Sequence, residues 1–320
     1  MIVPATVCEC FMSIRSFLKI TLVSGGLFVL PPVMFSSLFS AGAAPFQLAQ
    51  AATQSAESKV NQGLTLIQQG KLNEAIAAFR QAIRLNPKLA AAHYNLGLAL
   101  RQTGQLQPSA DAFYQATKAD PTFALAYANL GAALLEGSNL KQARDYLTRS
   151  LELDPRSGVA QYNLGLVLMQ EKNFPAAVQA FQKASLLTPN APEPLFQIAQ
   201  IYQQQGKFQQ AIPVLQQALQ RNPNYVEAHY SMGLASYYQG NLDQALTAFR
   251  KATDLNPKFA NGYYAAGLAF ARQGKTSEAE RVLKYAKTLF ASQGNTAWAK
   301  KTDQQLQQLD RSGRRELRSQ

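Results

Sequence analysis

The amino-acid sequence predicts an all-α solenoid, and three observations predict it. The text His93-Tyr94-Asn95-Leu96-Gly97 returns thirty-four residues later as Tyr127-Ala128-Asn129-Leu130-Gly131, and again as Gln161-Tyr162-Asn163-Leu164-Gly165. A fixed period of that size marks a stacked array of small units. Counted from Ala56, the unit occurs seven times without insertion, starting at Ala56, Ala90, Ala124, Gly158, Pro192, Val226 and Ala260. Small residues hold two places in each unit, which lets two helix backbones cross closely in a dense interior.

Those places define a helical hairpin. The eighth holds Gly63, Gly97, Gly131, Gly165, Ala199, Gly233 and Gly267, and the twentieth Ala75, Ser109, Ala143, Ala177, Ala211, Ala245 and Ala279. The twenty-fourth carries Phe79, Phe113, Leu147, Phe181, Leu215, Phe249 and Leu283, large apolar groups suited to the seam with the next unit. Six units close on Pro87, Pro121, Pro155, Pro189, Pro223 and Pro257, where proline ends one helix and opens the next. The combination of small, small, aromatic and proline places resembles the tetratricopeptide-repeat family, over about three quarters of the chain. The resemblance implies a right-handed superhelix with the first helix of each unit on its inner surface, and protein binding rather than catalysis.

The predicted organisation follows the chain. Residues 1–51 read as a signal peptide or membrane anchor plus linker. Arg15 and Lys19 precede an apolar run from Ile20 to Phe39, and the small residues Ala41-Gly42-Ala43 follow. That order is how a secretory signal reads, with cleavage after Ala43 or Ala51, and Met12 is an alternative start to Met1. The run is also just long enough to span a bilayer. Either way, the basic residues before it keep the amino end inside and send the rest across, free or anchored; the resemblance of glutamine-rich phrases such as Gln203-Gln204-Gln205-Gly206-Lys207 to those of bacterial, in particular cyanobacterial, repeat proteins implies a periplasm or thylakoid lumen. Ala52 to Ser58 is a polar lead-in. The seven units then occupy 56–89, 90–123, 124–157, 158–191, 192–225, 226–259 and 260–293. A capping helix over 294–310 carries Trp298, Leu306 and Leu309 on one side, as open-ended arrays require, and 311–320 reads as a disordered basic tail.

Chemistry is sparse. The only cysteines, Cys8 and Cys10, precede the apolar run, so the exported part has no thiol. The two histidines, His93 and His229, share the fourth place of their units and have no partners for a zinc site. No phosphate loop or nucleophile motif stands outside the repeats, and no cofactor is expected. Removing residues 1–50, which hold Arg15, Lys19 and Glu9, lowers the net charge only from +12 to +11. Most of this charge falls on second helices and turns. Places two, six, nine and thirteen of the first helices carry one cation, Arg272, against Glu57, Glu136, Glu193 and Glu227. A phosphate track there is not supported, so nucleic acid is not an expected partner.

Those four places lie away from the packing side of each first helix and form the candidate partner-binding strip. Place six is Asn61, Asn95, Asn129 and Asn163; place nine supplies Leu64, Leu98 and Leu166, and place thirteen Gln102 and Gln170. Units five to seven replace the asparagine with Gln197, Ser231 and Ala265, and bring Phe196, Tyr230 and Tyr264 at place five. Tyr230 and Tyr264 complete the candidate groove. The asparagine row is similar to the ladders with which related arrays hold extended client segments, whereas the cations of a terminal-carboxylate clamp are missing. The expected function is a non-enzymatic scaffold that binds a segment or domain of a client protein, in assembly of envelope or photosynthetic membrane complexes. The glutamine-rich phrasing resembles bacterial, in particular cyanobacterial, repeat proteins. An accessory subunit of a membrane-associated biosynthetic enzyme is the alternative, and RNA binding a third class. Membrane contact through residues 20–39 and self-association both remain open to the chain.

Overall fold

A computed structural model describes residues 43–319, with side-chain surroundings for 54–311; the apolar run and both cysteines lie outside them. The described residues form fifteen helices and no strand. The described residues divide into two compact bodies, one that ends at Glu171 and one that begins at Lys172.

The first body contains α1 (Ala43–Gln68), α2 (Leu72–Leu85), α3 (Ala90–Gln102), α4 (Leu106–Ala119), α5 (Ala124–Glu136), α6 (Leu140–Leu153) and α7 (Gly158–Gln170). Helices α1/α2, α3/α4 and α5/α6 pack as hairpins, and α1 also touches α3, as α5 touches α7. The hairpins close where the sequence placed its glycines. An added Cβ on Gly63 would lie 2.4 Å from the Phe79 ring, one on Gly97 2.7 Å from Phe113, and one on Gly131 2.5 Å from Leu147. The large group at place twenty-four therefore sits on the glycine of its own unit, a contact in addition to the expected seam with the next one. It serves both, since Phe79 shares a cluster with Ala92, Leu96 and Leu100 of the following unit. Ser109, at the small place of α4, is fully buried and donates to the Gly97 carbonyl at 2.7 Å.

The second body contains α8 (Phe174–Leu187), α9 (Glu193–Gln204), α10 (Phe208–Arg221), α11 (Val226–Tyr238), α12 (Leu242–Leu255), α13 (Ala260–Arg272), α14 (Thr276–Ser292) and α15 (Thr296–Ser319). Its hairpins α9/α10, α11/α12 and α13/α14 repeat the same closure, with Gly233 under Phe249 and Gly267 under Leu283. Pro213 is exposed and α10 runs through it without interruption.

Turn chemistry is periodic as well. Place fifteen adopts a left-handed conformation, with Gly70, Gly104, Gly206, Gly240 and Gly274 at φ between 72 and 84°, and with Ser138 at 62° and Lys172 at 61° in the two units that lack the glycine. Ahead of the prolines, the side chains of Asn86, Asp120, Asp154, Asn222 and Asn256 each accept from the backbone amide two residues on. This local bond satisfies a donor that the broken helix leaves free.

Two termini differ from expectation. Helix α1 begins at Ala43, well before the Ala52–Ser58 lead-in. Pro45 falls in its first turn, where a missing amide is harmless, and the alanine- and glutamine-rich text that follows favours helix; Ala51 lies inside it. At the other end α15 does not stop at 310 but continues to Ser319, so the basic tail is helical rather than disordered. Arginine, leucine and glutamate are all good helix formers, and the one glycine, Gly313, does not break it. Trp298 packs against the last repeat as expected, 5.4 Å from the Tyr264 ring and 5.7 Å from Phe290.

Candidate partner-binding strip

The strip is built on the first helices of the first body. Asn61 is exposed, and Asn95, Asn129 and Asn163 are half-buried on α3, α5 and α7. Beside them Leu64, Leu98 and Leu166 are half-buried, each packed by one side against a core cluster. Gln102 is exposed and Gln170 half-buried. The row therefore presents amides flanked by aliphatic surface and ends on longer amides at place thirteen.

The asparagines are partly committed. Asn95 Nδ2 donates to the Ala91 carbonyl at 2.8 Å, one turn back on its own helix, and Asn129 does the same to Leu125 at 3.0 Å. Such back-bonding pins the amide plane. An amide group carries two donors and one acceptor oxygen, and the Oδ1 atoms of Asn95 and Asn129 accept no hydrogen bond among the described residues. They remain available to a backbone N–H from outside.

Asn129 makes a second bond, to the Tyr94 hydroxyl at 3.2 Å, which sequence reasoning did not find. Tyr94 leans on Phe123 at 4.9 Å and Phe113 at 5.7 Å, so its ring is locked while its hydroxyl reaches the neighbouring repeat. Burial raises the Tyr94 phenol above its ordinary value of 10.0, against smaller lowering by the Asn129 hydrogen bond and the Arg101 charge. The hydroxyl stays protonated and able to donate. Two turns further along, Arg101 pairs with Glu136, whose side chain is only 10% exposed. Both contacts join residues thirty-five apart, one repeat plus one residue. That spacing is the signal that could have found them.

The second body treats the same places differently. Gln197, Ser231 and Ala265 at place six are all buried, as is Leu234 at place nine. Neighbouring first helices touch in this body, α9 with α11 and α11 with α13, as they do in the first. Gln200 donates to the Ser231 hydroxyl at 2.9 Å and Gln203 to the Ser231 carbonyl at 2.6 Å, which closes the seam with internal amide bonds. Tyr264 is corrected from the candidate groove: it is 3% exposed and packed by Phe290 and Trp298. Tyr230 is half-buried, edge-on to Phe259 at 5.2 Å and tilted on Phe249 at 5.8 Å, so it serves first as a seam residue.

The histidines are structural. His93 Nε2 lies 2.8 Å from the Pro87 carbonyl and His229 Nε2 2.9 Å from that of Pro223, which requires the proton on Nε2. Among the described residues no group of three or more His, Cys, Asp or Glu side chains could hold a metal ion, and no helix is long and apolar enough to cross a membrane.

Paired helices closing on a glycine and repeating at a fixed period define a helical-hairpin repeat protein. The chain belongs to the tetratricopeptide-repeat family described as the cilia and flagella-associated protein 70 C-terminal domain, which matches residues 36–262. Among solved structures it is similar to a tetratricopeptide repeat protein from Parabacteroides merdae, at 19% identity, TM-score 0.60, over 78% of this chain and 99% of that one. It is also similar to Pseudomonas aeruginosa pilF, at 20% identity, TM-score 0.58, over 66% of this chain and 96% of that one. Both likenesses concern the fold. Among curated proteins the chain has no match.

Proposed function

We propose that the chain is a non-enzymatic scaffold that holds an extended segment of a client protein along the strip of the first body. The observation that carries this reading is the state of the asparagines. Asn95 and Asn129 are oriented by bonds to their own helices, yet each keeps a free Oδ1 toward solvent. An amide can pair with a peptide unit whatever side chain that unit carries, and Leu98 and Leu166 add contact area without strict selectivity. The Tyr94 hydroxyl supplies a further donor beside Asn129. Pre-orientation lowers the ordering cost on binding.

The place of action follows from residues 1–51. Arg15 and Lys19 ahead of the apolar run favour translocation of the repeats to a periplasm or lumen, where assembly of membrane complexes is the fitting role. A reporter fused after Gln320 should then be active only outside the cytoplasm; cytoplasmic activity alone rejects that location. The binding reading is tested by a photo-crosslinking residue at Leu98 in cells. It should capture one short segment of a client, and no capture at Leu98 beside capture at the exposed outer residue Arg80 would reject the strip.

A further inference from the structure

The last repeat sets two phenols against each other across its hairpin. Tyr263 stands in the first turn of α13 and Tyr285 in the third turn of α14, and the antiparallel packing of the two helices brings their rings into contact. The ring centroids are 4.7 Å apart, with the planes at 82°. Other neighbouring tyrosines are further apart: Tyr127 and Tyr146 lie at 6.2 Å, and Tyr237 and Tyr238, consecutive on α11, at 5.6 Å. Tyr285 is 46% exposed, whereas Tyr263 is half-buried on the cluster that holds Tyr264, Leu283 and Phe290. One ring is thus open to a small oxidant, and the other lies in edge contact with it.

We propose that Tyr263 and Tyr285 form an oxidative crosslinking site, joined as dityrosine by a one-electron oxidant of the haem peroxidase and hydrogen peroxide class. Each phenol gives up one electron and its hydroxyl proton, which leaves two phenoxyl radicals whose unpaired spin is shared with the carbons ortho to oxygen. One ortho carbon of each ring forms the new carbon–carbon bond, and the protons on those carbons pass to the phenol oxygens as the rings regain aromaticity. The pair has then lost two hydrogen atoms, and one hydrogen peroxide has become two waters. Burial, with the neighbouring Tyr285, holds the Tyr263 phenol above its ordinary value of 10.0. Its proton is therefore present at neutral pH and leaves together with the electron. Because the rings already touch, side-chain torsions bring the ortho carbons together without moving either helix. The position gives the bond its effect. An open array is held by packing between neighbours and opens first at its ends, and α13 and α14 are the last hairpin before α15. The described residues hold no cysteine, so a disulfide is not open to them. A phenolic link between the two helices would restrict the unfolded chain as a disulfide does.

The test is treatment of the full chain, kept dilute, with a plant haem peroxidase and hydrogen peroxide, followed by isolation of the monomer and peptide mapping. The wild-type monomer should gain dityrosine fluorescence and yield one joined peptide pair, carrying Tyr263 and Tyr285 and lighter than its parts by two hydrogen atoms. Tyr285→Phe keeps the exposed ring and should lose both the joined pair and most of the fluorescence. Tyr114→Phe removes another exposed phenol, in the first body, and should leave the joined pair in place. Amide exchange in α13 and α14 should slow by about tenfold or more in the oxidised wild type. It should not change in Tyr285→Phe given the same treatment. The proposal is overturned if the wild-type monomer yields no such pair, or if Tyr285→Phe keeps the monomer's fluorescence. It is equally overturned if Tyr114→Phe loses the pair, if dityrosine appears only in dimers between chains, or if the crosslinked hairpin exchanges as fast as the untreated one.

Discussion

The Nδ2 of Asn129 donates to the hydroxyl of Tyr94 at 3.2 Å, across the junction of two successive repeats. The bond couples a seam residue to a residue of the candidate strip: Tyr94 is fixed by Phe113 and Phe123, and it holds Asn129 in turn. Packing between repeats thereby sets the orientation of an amide on the candidate strip.

Removal of this hydroxyl is the mildest way to disturb the strip. Tyr94→Phe keeps the ring contacts and should cost about 0.5–1.5 kcal/mol of stability for one hydrogen bond. Client binding should fall several-fold because Asn129 loses one of its two anchors. Chemical denaturation and titration of the client on the same variant separate the two effects.

Alkaline pH should act through the same group. Burial raises the folded-state value of Tyr94 above 10.0, so between the unfolded and folded values the unfolded chain binds fewer protons than the native one. Stability then falls as pH rises past 10, and below that the group contributes no pH dependence. Tyr94→Phe should show a shallower alkaline loss of melting temperature than the wild type, and equal slopes would contradict the assignment.

Gly97 tests the hairpin closure. Its added Cβ would lie 2.7 Å from two atoms of the fully buried Phe113 ring. Gly97→Ala should therefore destabilise by about 1–3 kcal/mol despite the higher helix propensity of alanine. A thermal melt unchanged from wild type would show that the ring can give way.

Ser138 makes the opposite case. It is exposed and held at φ 62° in the turn that five other units fill with glycine. A left-handed conformation costs a non-glycine residue about 1–2 kcal/mol, so Ser138→Gly should stabilise by about 0.5–1 kcal/mol after the added freedom of the unfolded chain. A lower melting temperature would mean that the serine side chain supports the turn.

The repeat frame was legible because every unit solves one packing problem with the same residues. Gly63, Gly97 and Gly131 face a large group sixteen positions on, and the same contact recurs at Gly233 and Gly267. The site was legible only in part. Asn95 and Asn129 stand where the period puts them, but whether a place is open depends on which side chains reach across from the neighbouring helix. Place six is half-open on α3 and α5 and closed at Ser231, where Gln200 and Gln203 reach across from the previous helix. Tyr264 looked like a groove residue because units five to seven bring an aromatic group to place five; the cap that covers it comes from Trp298, more than thirty residues away. The helical C-terminus was missed because charge density was read as disorder, although arginine and leucine favour helix.

The central claim is that the asparagine row holds a client by its backbone, and calorimetric titration of a crosslinked client segment tests it most directly. Asn95→Ala, Asn129→Ala and Asn163→Ala together remove three amides worth about 1 kcal/mol each, so affinity should fall about a hundredfold. The fold should persist, since alanine favours helix and the back-bonds to Ala91 and Leu125 are local. An unchanged dissociation constant in a folded triple variant would contradict the account.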